Sequence, residues 1–148
     1  MMQLIRKVLL LFLCITLSNV TKAQDDTKIA HVNLNAHDFY LYSNQGDAVI
    51  IDVRLFKEYR KSRIAAAISA PNKEILVQIC EKIDKDIPLF VYCDDGDRGN
   101  TACKILTDEL KFTKVYHLNR GLNEWLNKGY DLDNSKIAGL NPNDINRK

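Results

Sequence analysis

Ile87-Pro88-Leu89-Phe90-Val91-Tyr92-Cys93-Asp94-Asp95-Gly96-Asp97-Arg98-Gly99-Asn100-Thr101 is the stretch on which the fold turns. Its first six residues form a short apolar run rich in β-formers, which predicts a buried strand. Beyond it, Ala102, Ile105, Leu106 and Leu110 recur at helical spacing, so a helix is expected to start near Gly99. A cysteine therefore stands where a strand ends and a tight polar loop turns into a helix. Such a loop aims backbone N–H groups inward, and the helix N-terminus adds partial positive charge. Both favour a thiolate, the reactive form of cysteine.

The flanking segments alternate in the same way. Ile29 to Leu34 reads as a strand, and Asn35 caps a helix over Ala36 to Ser43. Ala48 to Val53 is an unbroken run of strand formers, the pattern of a central strand covered on both faces. Arg54 to Arg63 reads as a helical turn or two, and Ile64 to Ala70 as a strand of small residues. Asn72 then caps a helix whose stripe is Ile75, Leu76, Ile79, Cys80 and Ile83. Lys114 to Leu118 is a further strand, and Leu122, Trp125 and Leu126 mark a last helix closed by Gly129. Strands alternating with helices predict an α/β domain with a mostly parallel, helix-flanked sheet, and ligands of such sheets sit at the carboxyl ends of the strands. Cys93 falls at one of those ends.

Composition sets the surroundings. Arg6 and Lys7 precede the apolar run Val8 to Leu17, and Thr21-Lys22-Ala23 ends it with a small residue. That is the plan of a signal peptide over residues 1–23, with an apolar run too short to span a bilayer. The mature chain is thus expected to be exported, periplasmic or secreted, with the domain over 24–132 and a polar tail over 133–148. An uncleaved anchor is the alternative, and it calls for a longer run. The chain carries 21 basic and 19 acidic residues. Three of the basic ones lie in the leader, so the remainder is close to neutral and has no broad field for nucleic acid or anionic lipid. Neither nucleic acid nor a lasting membrane contact is expected, and a monomer is. No C-x-x-C pair occurs, which removes the zinc-knuckle and thioredoxin-type patterns. The Asp-Asp-Gly-Asp run lacks the alternating ligands and closing Glu of a calcium loop. No metal or cofactor is expected.

Three stretches, in order, resemble the signature blocks of rhodanese-like domains. They are Ile51-Asp52-Val53-Arg54 with Glu58-Tyr59 and Ile64 through Pro71; the six-residue loop Cys93 to Arg98; and Arg120-Gly121-Leu122 with Trp125 and Gly129-Tyr130. The resemblance implies a five-stranded parallel sheet flanked by helices. It also implies a sulfurtransferase in which Cys93 takes a sulfane sulfur from a small donor or a persulfide-bearing protein, holds it as a persulfide and passes it to a thiophilic acceptor. By position, the amides of Asp94, Asp95, Gly96, Asp97, Arg98 and Gly99 would cradle the sulfur, and Arg98 would help stabilise the anion. Apart from the resemblance, Asp52 and Arg54 read better as an ion-paired brace beside the loop than as catalytic groups. The sequence departs from the family pattern where Ser62-Arg63 replaces a usual Gly-His and Ala66 a common glycine.

Two rival functions are weighed against this one. Phosphatases and arsenate reductases of related type use a longer C-x5-R loop, whereas four residues separate Cys93 from Arg98. A non-catalytic or regulatory rhodanese-like module is the other rival, and the acidic loop is its argument. Asp94, Asp95 and Asp97 oppose a thiolate and repel thiosulfate, a dianion, so thiosulfate is expected to be a poor donor. Cys80 and Cys103 lie on or at the edge of apolar helical stripes; buried free thiols are the better reading, with a Cys80–Cys103 disulfide left open.

Overall fold

The computed structural model describes residues 30–137. The expected signal peptide and the last eleven residues of the chain lie outside these.

Among the described residues, five strands form one sheet: β1 (Val32–Leu34), β2 (Val49–Asp52), β3 (Ile68–Ser69), β4 (Leu89–Tyr92) and β5 (Val115–Leu118). Their order is β1-β5-β4-β2-β3, and every pairing is parallel. The strand that leads into Cys93 is therefore central. Alternation along it sorts its side chains. Leu89, Val91 and the following Cys93 join one core cluster, and Phe90 and Tyr92 join the other.

Helices cover both faces, as parallel sheets require. On the Cys93 face lie α3 (Lys73–Cys80) and α4 (Asp97–Lys104), which contribute Leu76, Cys80, Ala102 and Cys103. On the other lie α1 (Ala36–Ser43) and α5 (Gly121–Asn127), with Phe39, Leu122 and Trp125. The short α2 (Phe56–Tyr59) follows β2 at the carboxyl edge of the sheet. Asn35 and Asn72 cap their helices as expected, accepting the N–H groups of Asp38 and Ile75 at 2.9 Å.

The structure departs from the sequence reading most clearly in two places. The strand expected over 64–70 is reduced to Ile68–Ser69, because Ala66 takes a left-handed φ of 62° and breaks the extended run just before it. A glycine, common at that place in the family, would adopt this φ freely. Helix α4 starts at Asp97 rather than near Gly99, because Gly96 turns the chain at φ 110° and serves as its N-cap. It ends in a π-helical stretch, Ile105–Glu109, where the Leu110 N–H reaches back five residues to the Ile105 carbonyl at 3.0 Å.

Past residue 132 the chain is still tied down. Arg63 and Asp133 form an antiparallel bridge, and the Arg63 guanidinium donates to Asp133 Oδ2 at 2.6 Å and Ser135 Oγ at 2.8 Å. The arginine that replaces the family's usual histidine thus binds the beginning of the expected tail.

Candidate active site

The loop after β4 is held by its carbonyls. The Cys93 carbonyl accepts the Leu122 N–H at 2.8 Å, and the Asp94 carbonyl accepts the Asn123 N–H at 3.0 Å. Both donors belong to the first turn of α5, whose amides have no partner within their own helix. Gly121 makes this approach feasible. It sits at φ 57°, and a Cβ there would lie 2.4 Å from the Cys93 and Asp94 carbonyl oxygens.

With its carbonyls committed to α5, the loop turns later amides toward the sulfur. The Gly96 N–H donates to Cys93 Sγ at 3.1 Å and the Gly99 N–H at 3.3 Å. Gly96 has no alternative residue in this geometry: a Cβ would fall 2.0 Å from the Asn119 carbonyl oxygen. A Cβ on Gly99 would meet the buried His117 ring at 2.6 Å. The cradle expected from all six amides, Asp94 to Gly99, is thus built by two of them. The Asp97 N–H goes instead to Asp95 Oδ1 at 3.2 Å.

The three aspartates occupy three different situations. Asp94 is bonded to two guanidiniums, Arg98 Nη2 at 2.7 Å and Arg54 Nη1 at 3.5 Å. Asp95 is exposed, and its Oδ1 lies 3.6 Å from Cys93 Sγ as acceptor of the thiol proton. The Asp97 amide, and to a smaller extent Cys93, hold the Asp95 carboxyl below its usual range. Asp97 is exposed in the first turn of α4, where its charge suits the helix dipole.

The Arg98 guanidinium is engaged by carboxylates. Besides Asp94 it donates to Glu58 Oε2 at 3.3 Å, and its side chain is 41% exposed. Burial works against the Glu58 carboxylate, but the Leu55 N–H and the Arg98 guanidinium outweigh it and hold that carboxyl low. Beside the loop, a groove of about 270 Å³ between α3 and α4 is walled by Val53, Ala70, Leu76, Arg98 and Ala102.

Asp52 and Arg54 stand below the loop as a buried pair. Arg54 donates from Nε to Asp52 Oδ1 at 3.0 Å and from Nη2 to Oδ2 at 2.7 Å, and its Nη2 also reaches the Ser62 carbonyl at 2.6 Å. Tyr92 donates its hydroxyl to Asp52 Oδ2 at 2.7 Å and accepts the Ile64 N–H at 3.0 Å. Burial disfavours the Arg54 charge, yet its bonds to Asp52 overcome this and raise its pKa. Burial and the adjacent Asp52 charge push the Tyr92 hydroxyl up. The pair thus ties β2 to the residue preceding Cys93 and to the 62–64 segment. Cys80, Cys93 and Cys103 are all unpaired thiols.

Sequence reasoning placed Cys93, Gly96 and Gly99 together. It did not assign Gly121, Leu122 and Asn123 a part in holding the loop, nor Glu58 a part in placing Arg98. The Arg120-Gly121-Leu122 block was the available signal, but its contacts span nearly thirty residues of sequence.

Comparisons with known proteins bear on the family and the fold. The rhodanese-like domain profile matches residues 35–128, from the cap of α1 to the end of α5. The chain is 34% identical over 79 residues to the thiosulfate sulfurtransferase GlpE of Coxiella burnetii, covering 53% of this chain and 72% of that protein. It is 30% identical over 94 residues to the protein HIGH ARSENIC CONTENT 1, mitochondrial, of Arabidopsis thaliana, covering 56% of this chain and 55% of that one. The crystal structure of a thiosulfate sulfurtransferase from Pseudomonas aeruginosa shares the fold, with a TM-score of 0.63 at 24% identity over 76% of this chain and 22% of that chain. The parallel, helix-flanked sheet is the fold this chain shares with that structure, and with the profile match over more than half of its length the chain belongs to the rhodanese-like domain family.

Proposed function

We propose that the protein is a sulfurtransferase that carries sulfane sulfur as a persulfide on Cys93. The observation that carries the reading is the pair of N–H groups, from Gly96 and Gly99, aimed at a cysteine sulfur at the end of the central strand. Sulfur transfer requires a nucleophilic sulfur and then a stabilised persulfide anion, and fixed amide donors serve both.

The Cys93 thiolate attacks the sulfane sulfur of the donor. The Sγ–S bond forms, the donor's bond to that sulfur breaks, and the bonding pair leaves with the donor. A thiophilic acceptor then attacks the outer sulfur, the Sγ–S bond breaks, and the thiolate returns. Sulfur is exchanged without a net oxidant or reductant. Thiosulfate is the weaker donor in this reading, because Asp95 faces the sulfur and Arg98 is already occupied. The domain acts as a monomer, and export of the mature chain rests on the leader of residues 1–23 alone.

The test is transfer of sulfane sulfur to cyanide, followed as thiocyanate, with wild type and Cys93→Ser. Turnover by the wild type and none by the variant is expected. Wild-type protein that transfers sulfur from no donor would instead favour a regulatory module, and turnover of an aryl phosphate would favour a phosphatase.

A further inference from the structure

We propose that Glu58, which lies outside the cysteine loop, sets the donor class of this site. Together with Asp94 it occupies the Arg98 guanidinium, so that the site takes sulfur from persulfides on cationic or neutral organic carriers in preference to the thiosulfate dianion. The inference rests on the sulfurtransferase reading of Cys93.

Arg98 is the cation of the cysteine loop, and two carboxylates from different elements occupy it: Asp94 at 2.7 Å and Glu58 at 3.3 Å. The other nearby guanidinium, Arg54, is committed to Asp52 and the Ser62 carbonyl and reaches Asp94 only at 3.5 Å. Lys73, which lines the same groove as Arg98, is paired with Glu109 at 2.6 Å, and against the two guanidiniums stand the carboxylates of Asp52, Glu58, Asp94, Asp95 and Asp97. An arriving dianion therefore meets net negative charge and finds no guanidinium free to pair with it. A persulfide on an ammonium-bearing carrier meets attraction instead.

The chemistry balances for such a donor. The Cys93 thiolate attacks the outer sulfur of R–S–SH and the Sγ–S bond forms. The R–S–S link breaks, and its electron pair stays on the inner sulfur. The outer sulfur's proton passes to that thiolate, leaving Cys93–S–S⁻ and R–SH.

Glu58 can be tested because its two roles separate. Its Oε2 also accepts the Leu55 N–H at 2.8 Å at the start of α2, and a glutamine retains an acceptor there while losing the charge. Thiosulfate and cysteamine persulfide, generated in situ, serve as donors at fixed ionic strength. Wild type should show the higher kcat/KM with cysteamine persulfide. Glu58→Gln should lower the KM for thiosulfate about two- to five-fold, the scale of an exposed ion pair, and adding Arg98→Met should erase that gain. Asp94→Asn, which releases Arg98 from the loop side, should move KM the same way. Sulfur transfer with an unmoved thiosulfate KM in Glu58→Gln, whatever Asp94→Asn does, or a gain that survives Arg98→Met, overturns the role of Glu58. Absence of any sulfur on Cys93 from either donor overturns the sulfurtransferase reading itself.

Discussion

Cys93 and Cys103 lie ten residues apart on the same face of the sheet, and both are fully buried. Their sulfurs nevertheless have different surroundings. Cys103 is packed among apolar side chains from α4 and the strands, and burial pushes its thiol up. Cys80, on α3, is in the same condition, pushed up to about 11. Cys93 receives two backbone N–H groups and faces a carboxylate. Burial alone therefore does not mark a cysteine as inert. What marks it is whether the chain turns polar groups toward the sulfur, and here that depends on a loop pinned by its carbonyls to another helix.

The sharpest way to break the comparison is to exchange the consequences of losing each sulfur. Cys93→Ser should reduce sulfur transfer by about a thousandfold or more, as loss of an essential nucleophile does. Cys80→Ala and Cys103→Ala should retain it, as steady-state rates would show.

A second way is to make Cys93 resemble Cys103 by removing its amide donors. Gly96→Ala places a Cβ against the Asn119 carbonyl and forces the loop to shift. The transfer rate should fall about 100-fold, the scale of losing a fixed donor to a developing anion, with the fold retained by circular dichroism.

Stability separates the two surroundings as well. Asp52→Ala removes the buried carboxylate that takes Arg54 Nε and Nη2, and should cost about 3–5 kcal/mol. Cys103→Ala removes only packing and should cost about 1–2 kcal/mol. Urea denaturation of both variants measures the difference.

The smallest effect concerns pH. His117 supports the cysteine loop from β5, with Nδ1 2.8 Å from Asn33 Oδ1 and its ring against Gly99. Burial, and then the neighbouring His31, lower its pKa from the ordinary 6.5. The unfolded chain therefore binds this proton more readily than the folded one. The associated stability is present above about pH 6.5 and is lost as pH falls through the lowered value. Denaturation between pH 7.5 and 5 should show a shallower loss for His117→Gln than for wild type. Some slope should remain, because burial lowers His31 too.

Much of this was legible in the sequence because it is local. The strand Leu89–Tyr92, the cysteine directly after it and the helix that follows are encoded by adjacent residues, and the Asn35 and Asn72 caps by single side chains. The start of α4 was misplaced because Gly96 turns the chain through a positive φ before any apolar periodicity begins. The second partner of Arg98 was not legible, because Glu58 stands forty residues earlier in the chain. The same holds for the carbonyls of Cys93 and Asp94, whose partners arrive with α5. Family blocks pointed to these segments but did not say which atoms meet.

The central claim is that Cys93 carries a sulfur atom, and intact-mass analysis after exposure to a sulfane donor tests it most directly. Wild-type protein should gain the mass of one sulfur and lose it on addition of a thiophilic acceptor, and Cys93→Ser should gain none. A protein that takes up no sulfur from cysteamine persulfide or thiosulfate, or whose adduct persists in Cys93→Ser, would contradict the account.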